Sequence, residues 1–122
     1  MKTVSFIKGD IIWVKRNRRN PQELRHPAVV WDESVEDDAD FHGIMLSHSP
    51  RSERFDNILM SIEHFEVGSK VTFSNTHFVN QLFIKFQEWG PFYKVGKITA
   101  RGIEFIETNL SQTEPLSFEF YR

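Results

Sequence analysis

The sequence predicts a mainly β domain with one or two short helices, closing as a small barrel. Three observations carry this. Five to seven short runs of β-branched and aromatic residues are bounded by turn chemistry. Apolar residues take the spacing of a helix face after Thr99. The 122 residues, read as a single domain over 1–122, allow one core of useful size.

The elements follow in order. Ile11-Ile12-Trp13-Val14, after Gly9-Asp10, reads as the first strand. Lys15 to Gln22 is polar, with Asn17, Asn20 and Pro21, and reads as a loop. Ala28-Val29-Val30-Trp31 reads as a buried strand opened by Pro27, where a proline is tolerated. The acidic segment Asp32 to Asp40 reads as an exposed loop. Gly43 to Ser47 is a third strand, ending at Ser47-His48-Ser49-Pro50. Ile58 to Phe65 alternates weakly, Lys70 to Phe73 is a short strand, and Phe78 to Phe86 is rich in Leu, Ile and Phe. Tyr93 to Ile98 reads as a further strand after the turn at Trp89-Gly90-Pro91. Thr99 is the expected N-cap of a helix carrying Ile103, Phe105, Ile106 and Leu110 on one face; Gly102 sits awkwardly inside it. Leu116 to Tyr121 alternates as a strand does.

Composition narrows the chemistry. Cysteine is absent, which removes disulfides, thiolate metal ligands and a thiol nucleophile. The N-terminus lacks the apolar run of a signal peptide, and no stretch approaches a membrane span, so a cytoplasmic location is expected. Net charge is −2, too small for the whole-molecule field to gather nucleic acid. The charge is uneven, however: Lys15, Arg16, Arg18 and Arg19 cluster before the acidic run at 32–40. Twelve phenylalanines and three tryptophans favour strands around an aromatic core. Trp13 and Trp31 are expected in the core or a dimer interface, and Trp89 on the surface.

Three segments resemble, in order, the MazF/PemK family of toxin endoribonucleases. Gly9 to Val14, a polar loop and His26-Pro27-Ala28-Val29-Val30 resemble its opening. Ile44 to Ser49 resembles its third strand, and Lys94 to Thr99 with the helix that follows resembles its last core strand and helix. The resemblance covers roughly residues 8 to 110. It implies an SH3-like barrel of the MazF/PemK/CcdB kind, a homodimer, cleavage of single-stranded RNA (mRNA) without a metal or other cofactor, and neutralisation by a cognate antitoxin protein. The family places its catalytic arginine directly before the proline. Here His26 holds that place and Arg25 precedes it, and Arg18 to Glu23 replaces the family's Gly-Ser-Glu-Gln loop.

Such cleavage needs a base for the ribose 2′-hydroxyl, an acid for the leaving 5′-oxygen and a cation for the phosphorane. His26 and His48 have the chemistry for the proton roles. Arg25 has the geometry to clamp the phosphate, and Ser47 can hydrogen-bond one of its oxygens. Lys15, Arg16, Asn17, Arg18 and Arg19 are the expected RNA-binding residues, through phosphate contacts and, at Asn17 and Asn20, base edges. Each has a plainer reading: His26 as a residue opening a strand, Ser47-His48-Ser49 as a turn, the basic cluster as a solvated loop. Asp40 and His42 share a strand face, but two ligands do not make a metal site. His64 and His77 stand alone in the sequence. The alternative reading of the whole is a non-catalytic SH3-like module that binds RNA or protein.

Overall fold

A computed structural model describes residues 5–14, 27–32, 34–36, 41–47, 56–68, 76–85, 92–111 and 114–117. Ten strands, one 3-10 helix and one α-helix lie in these residues: β1 Ser5–Ile7, β2 Asp10–Val14, β3 Pro27–Val30, β4 Ser34–Glu36, β5 Phe41–Ser47, β6 Asn57–Leu59, the 3-10 helix Ile62–His64, β7 His77–Val79, β8 Phe83–Lys85, β9 Phe92–Lys97, α1 Ala100–Asn109 and β10 Leu116–Ser117. The chain is mainly β, as its composition of short apolar runs requires.

The main sheet runs β10-β8-β5-β3-β2-β9, and β6 and β7 extend it from β5. Every pairing is antiparallel except β10 with β8. β5 is the hub. One of its edges pairs with β3, and it also pairs with β8 through Phe41 to Gly43 and with β7 through Leu46 and Ser47.

Register explains the burial. Ile11, Val29 and Ile44 stand opposite one another across β2, β3 and β5, and Ile12, Ala28 and Met45 form the next row. Side chains alternate across a strand, so the two rows face opposite sides of the sheet. All six residues are fully buried. The first row belongs to a core that also holds Leu46, Met60, Phe65, Phe78, Ile98 and, from α1, Ile106. A strand buried on both faces reads as a continuous apolar run, and Ala28-Val29-Val30 is one.

Gly9 sets how the first strands meet. Its φ is +97°, in the region that disfavours side chains. In that conformation its N–H donates to the Val30 carbonyl at 2.9 Å and its own carbonyl accepts from the Ile98 N–H at 2.8 Å. The turn closes on Asp10, whose Oδ2 accepts the Ile7 N–H at 3.0 Å. Between Ile11 and Ile12 the pairing with β9 slips by one residue. Such a bulge breaks the alternation, so Lys94 and Lys97 reach the same side. Both come to Asp10 Oδ1, at 3.2 and 3.8 Å.

α1 begins where the sequence places it. Thr99 is extended, and its hydroxyl oxygen accepts the Gly102 N–H at 3.1 Å. The same hydroxyl donates to the Glu63 carbonyl at 2.8 Å, which ties the helix start to the 3-10 helix. Gly102 is buried at this crossing: a Cβ there would run into the Ile98 side chain and the His64 carbonyl. The glycine that looks unsuited to a helix is required by the close approach of the two elements.

Several expectations change. The acidic segment 32–40 is not wholly a loop: Ser34–Glu36 forms β4 and pairs with β1, a strand the sequence reading omitted. The third strand starts at Phe41 rather than Gly43. Ile58 to Phe65 splits into β6, the 3-10 helix and a single bridge from Phe65 to Ile98. The apolar stretch after Phe78 holds two strands, β7 and β8, divided at Asn80 to Leu82. The strand expected at Lys70 to Phe73 lies outside the described residues. No helix among the described residues is long and apolar enough to cross a membrane.

Candidate functional site

The sheet registers gather several strand ends. Trp13 pairs with Pro27, Val14 with Phe92, and Ala28 with Met45. The end of β2, the starts of β3 and β9 and the end of β5 therefore lie at one end of the sheet. Val14 and Pro27 border residues 15–26, and Ser47 borders 48–55. Of the predicted site residues, Lys15, Arg16, Asn17, Arg18, Arg19, Arg25, His26 and His48 lie outside the described residues. Ser47 lies within them, half-buried on the last position of β5.

Across β5 and β7, Ser47 stands directly opposite His77, and His77 stands opposite Leu59 of β6. Direct partners share a face, so Ser47, His77 and Leu59 form one row at this end of the sheet. His77 is buried, with 7 % exposure. Along the chain His77 stands alone. Only the register of β5 against β7 makes it a neighbour of Ser47, and spacing along the chain carries no signal of that register.

His42 lies at the other end of β5. Its partner is Asp32; Asp40, which shares its strand face in the sequence, lies outside the described residues. Asp32 Oδ2 accepts the His42 N–H at 3.0 Å, and Oδ1 lies 2.9 Å from the His42 Nδ1. The Trp31 N–H donates to the His42 carbonyl at 3.0 Å, which holds the chain after β3 beside the start of β5. A ring held at Nδ1 by a carboxylate presents Nε2 with a fixed orientation. Trp31 is half-buried against the core rather than fully inside it, with the Lys8 ammonium 4.5 Å from its ring centroid. Lys8 also pairs with Glu107 of α1 at 3.2 Å. Among the described residues, no three His, Asp or Glu side chains come together as a metal ion would need.

His64 is the third histidine of interest. It closes the 3-10 helix, and its Nδ1 accepts the Ser61 N–H at 3.0 Å. Its ring stacks on Phe105, with centroids 4.3 Å apart and planes at 22°. Burial pushes the imidazole below its ordinary pKa, and the Glu63 carboxylate opposes that only in part. The folded state therefore prefers the neutral ring. Above the unfolded value of about 6.5, both states are neutral and the full stability is present. As pH falls through 6.5 the unfolded chain takes up the proton first, and stability declines until the folded pKa is reached. Thermal unfolding of the wild type is expected to show this decline between pH 7.5 and 5. His64→Asn, which offers an acceptor but does not titrate, should show a shallower one. Equal slopes in the two proteins would refute the assignment.

Comparison with protein-family models, with curated proteins and with solved structures found no match.

Proposed function

We propose that this chain is a MazF/PemK-like toxin endoribonuclease on an SH3-like barrel. In this reading it is a cytoplasmic homodimer that cuts single-stranded RNA without a metal and is held in check by an antitoxin. The observation that carries the reading is the meeting of strand ends. Val14, Pro27 and Ser47 border the segments that bear the basic cluster, Arg25-His26 and His48, and all three lie at one end of the sheet. That arrangement is what an acid, a base and a phosphate clamp drawn from separate segments require. The 2′-oxygen attacks phosphorus, the bond to the 5′-oxygen breaks, and one proton passes to a base as another comes from an acid. The products are a 2′,3′-cyclic phosphate and a 5′-hydroxyl.

The test is incubation of the purified protein with a long single-stranded RNA in the presence of chelator, followed by end-group analysis. Cyclic phosphate ends that vanish in Arg25→Ala and His26→Ala are expected. Undiminished cleavage in His26→Ala and His48→Ala would remove the proton-transfer assignment, and intact RNA with the wild type would remove the ribonuclease reading.

A non-catalytic binding module on the same fold is the second reading. It is favoured by the apolar side chains left in solvent: Leu59 at 56 % exposure, Ile62 at 71 % and Val67 fully exposed. All three fall in the stretch from β6 through the 3-10 helix to Gly68, and a contiguous apolar surface there would serve as a contact face. Binding of RNA or of a protein partner without cleavage would select this reading.

A further inference from the structure

An open surface cavity of about 370 Å³ lies over the joint between the 3-10 helix and α1. Glu63 and His64 of the 3-10 helix line it together with Arg101, Glu104, Phe105, Thr108 and Asn109 of α1, and the Asn109 amide donates to the Phe105 carbonyl of its own helix. Its volume suits a single heterocycle or small nucleoside rather than an extended ligand.

The polar groups define what fits. His64 is only 7 % exposed. Its Nδ1 is occupied by the Ser61 N–H, so the neutral ring carries its proton on Nε2. Among the described residues that Nε2–H has no hydrogen-bond partner, and the ring that bears it lines the cavity. The ring is nearly buried, but this N–H is not shut off from solvent and is free to donate to an acceptor in the cavity. Glu104 also lines the cavity, and its carboxylate makes no ion pair among the described residues. Arg101 is turned to Glu63, 3.4 Å away. The Thr108 hydroxyl donates to the Glu104 carbonyl of its own helix.

An anion is disfavoured here, because Glu63 and Glu104 both face it and the one guanidinium is already paired. A simple cation is disfavoured by the imidazole N–H. The complement is a planar group that offers one acceptor beside two parallel N–H donors, since a carboxylate accepts best from two. Guanine has that order along its Watson–Crick edge: O6, N1–H, N2–H. Single-stranded RNA exposes this edge, and proteins read it together with ring stacking.

We propose that this cavity is a guanine-binding site, with O6 accepting from His64 Nε2–H and N1–H and N2–H donating to Glu104. The inference rests on the ribonuclease reading for the source of the base, and it would make the site a reader of RNA sequence on α1. Phe105, which His64 stacks on, meets Phe78 of β7 edge-on at 6.0 Å, on the face of the sheet opposite the row at Ser47.

Free nucleosides test the site apart from cleavage. The ring ¹⁵N and ¹H signals of His64 are followed while guanosine, inosine or adenosine is titrated into the full chain. Guanosine is expected to shift the Nε2–H signal. Inosine, which lacks the 2-amino group, should bind about tenfold more weakly, and adenosine should leave the signal in place. Glu104→Gln, an exposed change that leaves the fold intact, should weaken guanosine at least about tenfold. His64→Phe should abolish selectivity between guanosine and adenosine. No shift with guanosine, an equal shift with adenosine, or unchanged guanosine affinity in Glu104→Gln overturns the proposal. RNA cleavage by a wild type that ignores guanosine would sink the guanine site alone. Guanosine binding by a protein that leaves RNA intact would sink the ribonuclease reading and leave the site.

Discussion

Gly102→Ala is expected to destabilise the protein by about 2–3 kcal/mol, the upper part of the range of about 1–3 kcal/mol for overfilling a packed contact. The sign is the informative part. In an exposed helix interior the same change stabilises by up to about 1 kcal/mol, because alanine is the better helix former. Here the added methyl meets the Ile98 side chain and the His64 carbonyl. A side chain can rotate aside, but this carbonyl accepts the Thr99 N–H at 2.9 Å and cannot move without breaking that bond. Relief requires α1 to back away from the 3-10 helix. That strains the Thr99 cap, which bonds both the Gly102 N–H and the Glu63 carbonyl. Urea unfolding of wild type and variant measures the change. A variant as stable as the wild type would show that the two elements do not meet as closely as described.

Asp10→Ala should cost about 2–3 kcal/mol. Asp10 is 3 % exposed, and two different losses add. The Ile7 N–H loses its acceptor, and an unmatched donor in a partly buried turn is expensive. Lys94 and Lys97 also lose the charge between them. That second part is discounted, because the Lys94 side chain is half-exposed and water screens it. Oδ1 makes no well-angled hydrogen bond, so its attraction to the lysines is charge to charge. Asp10→Asn keeps an acceptor for Ile7 and should lose less, about 1 kcal/mol. Chemical unfolding of both variants separates the parts. An asparagine variant as unstable as the alanine one would place the main effect on the ion pairs instead.

Where local chemistry decides, the sequence is readable. The run Ile11 to Val14, the buried Ala28-Val29-Val30 and the Thr99 cap with its helix all stand where turn residues and periodicity put them. Where a partner distant in the chain decides, it is not. Val35 sits among acids that argue for a loop, yet Ser34–Glu36 is a strand because Ser5–Ile7 lies beside it. Gly102 counts against a helix on propensity and is explained only by the His64 carbonyl pressed against it. The histidines follow the same division. His42 gains Asp32, ten residues away in the chain, through the packing of β5 beside the end of β3. His77 gains Ser47 through register, and His64 gains Phe105 through helix packing.

The position of β5 as hub also bears on how the chain is made. Its partner on one edge, β3, precedes it, while β7 and β8 follow it. A ribosome adds residues at roughly 5–20 per second, so after Ser47 is made β5 waits on the order of 2–8 s for Lys85 to be added. During that interval Phe41 to Gly43, Leu46 and Ser47 lack the later strands they pair with in the fold. For this chain the hazard of misassembly is concentrated in a few seconds of translation, and a slower stretch of message after β5 would lengthen it.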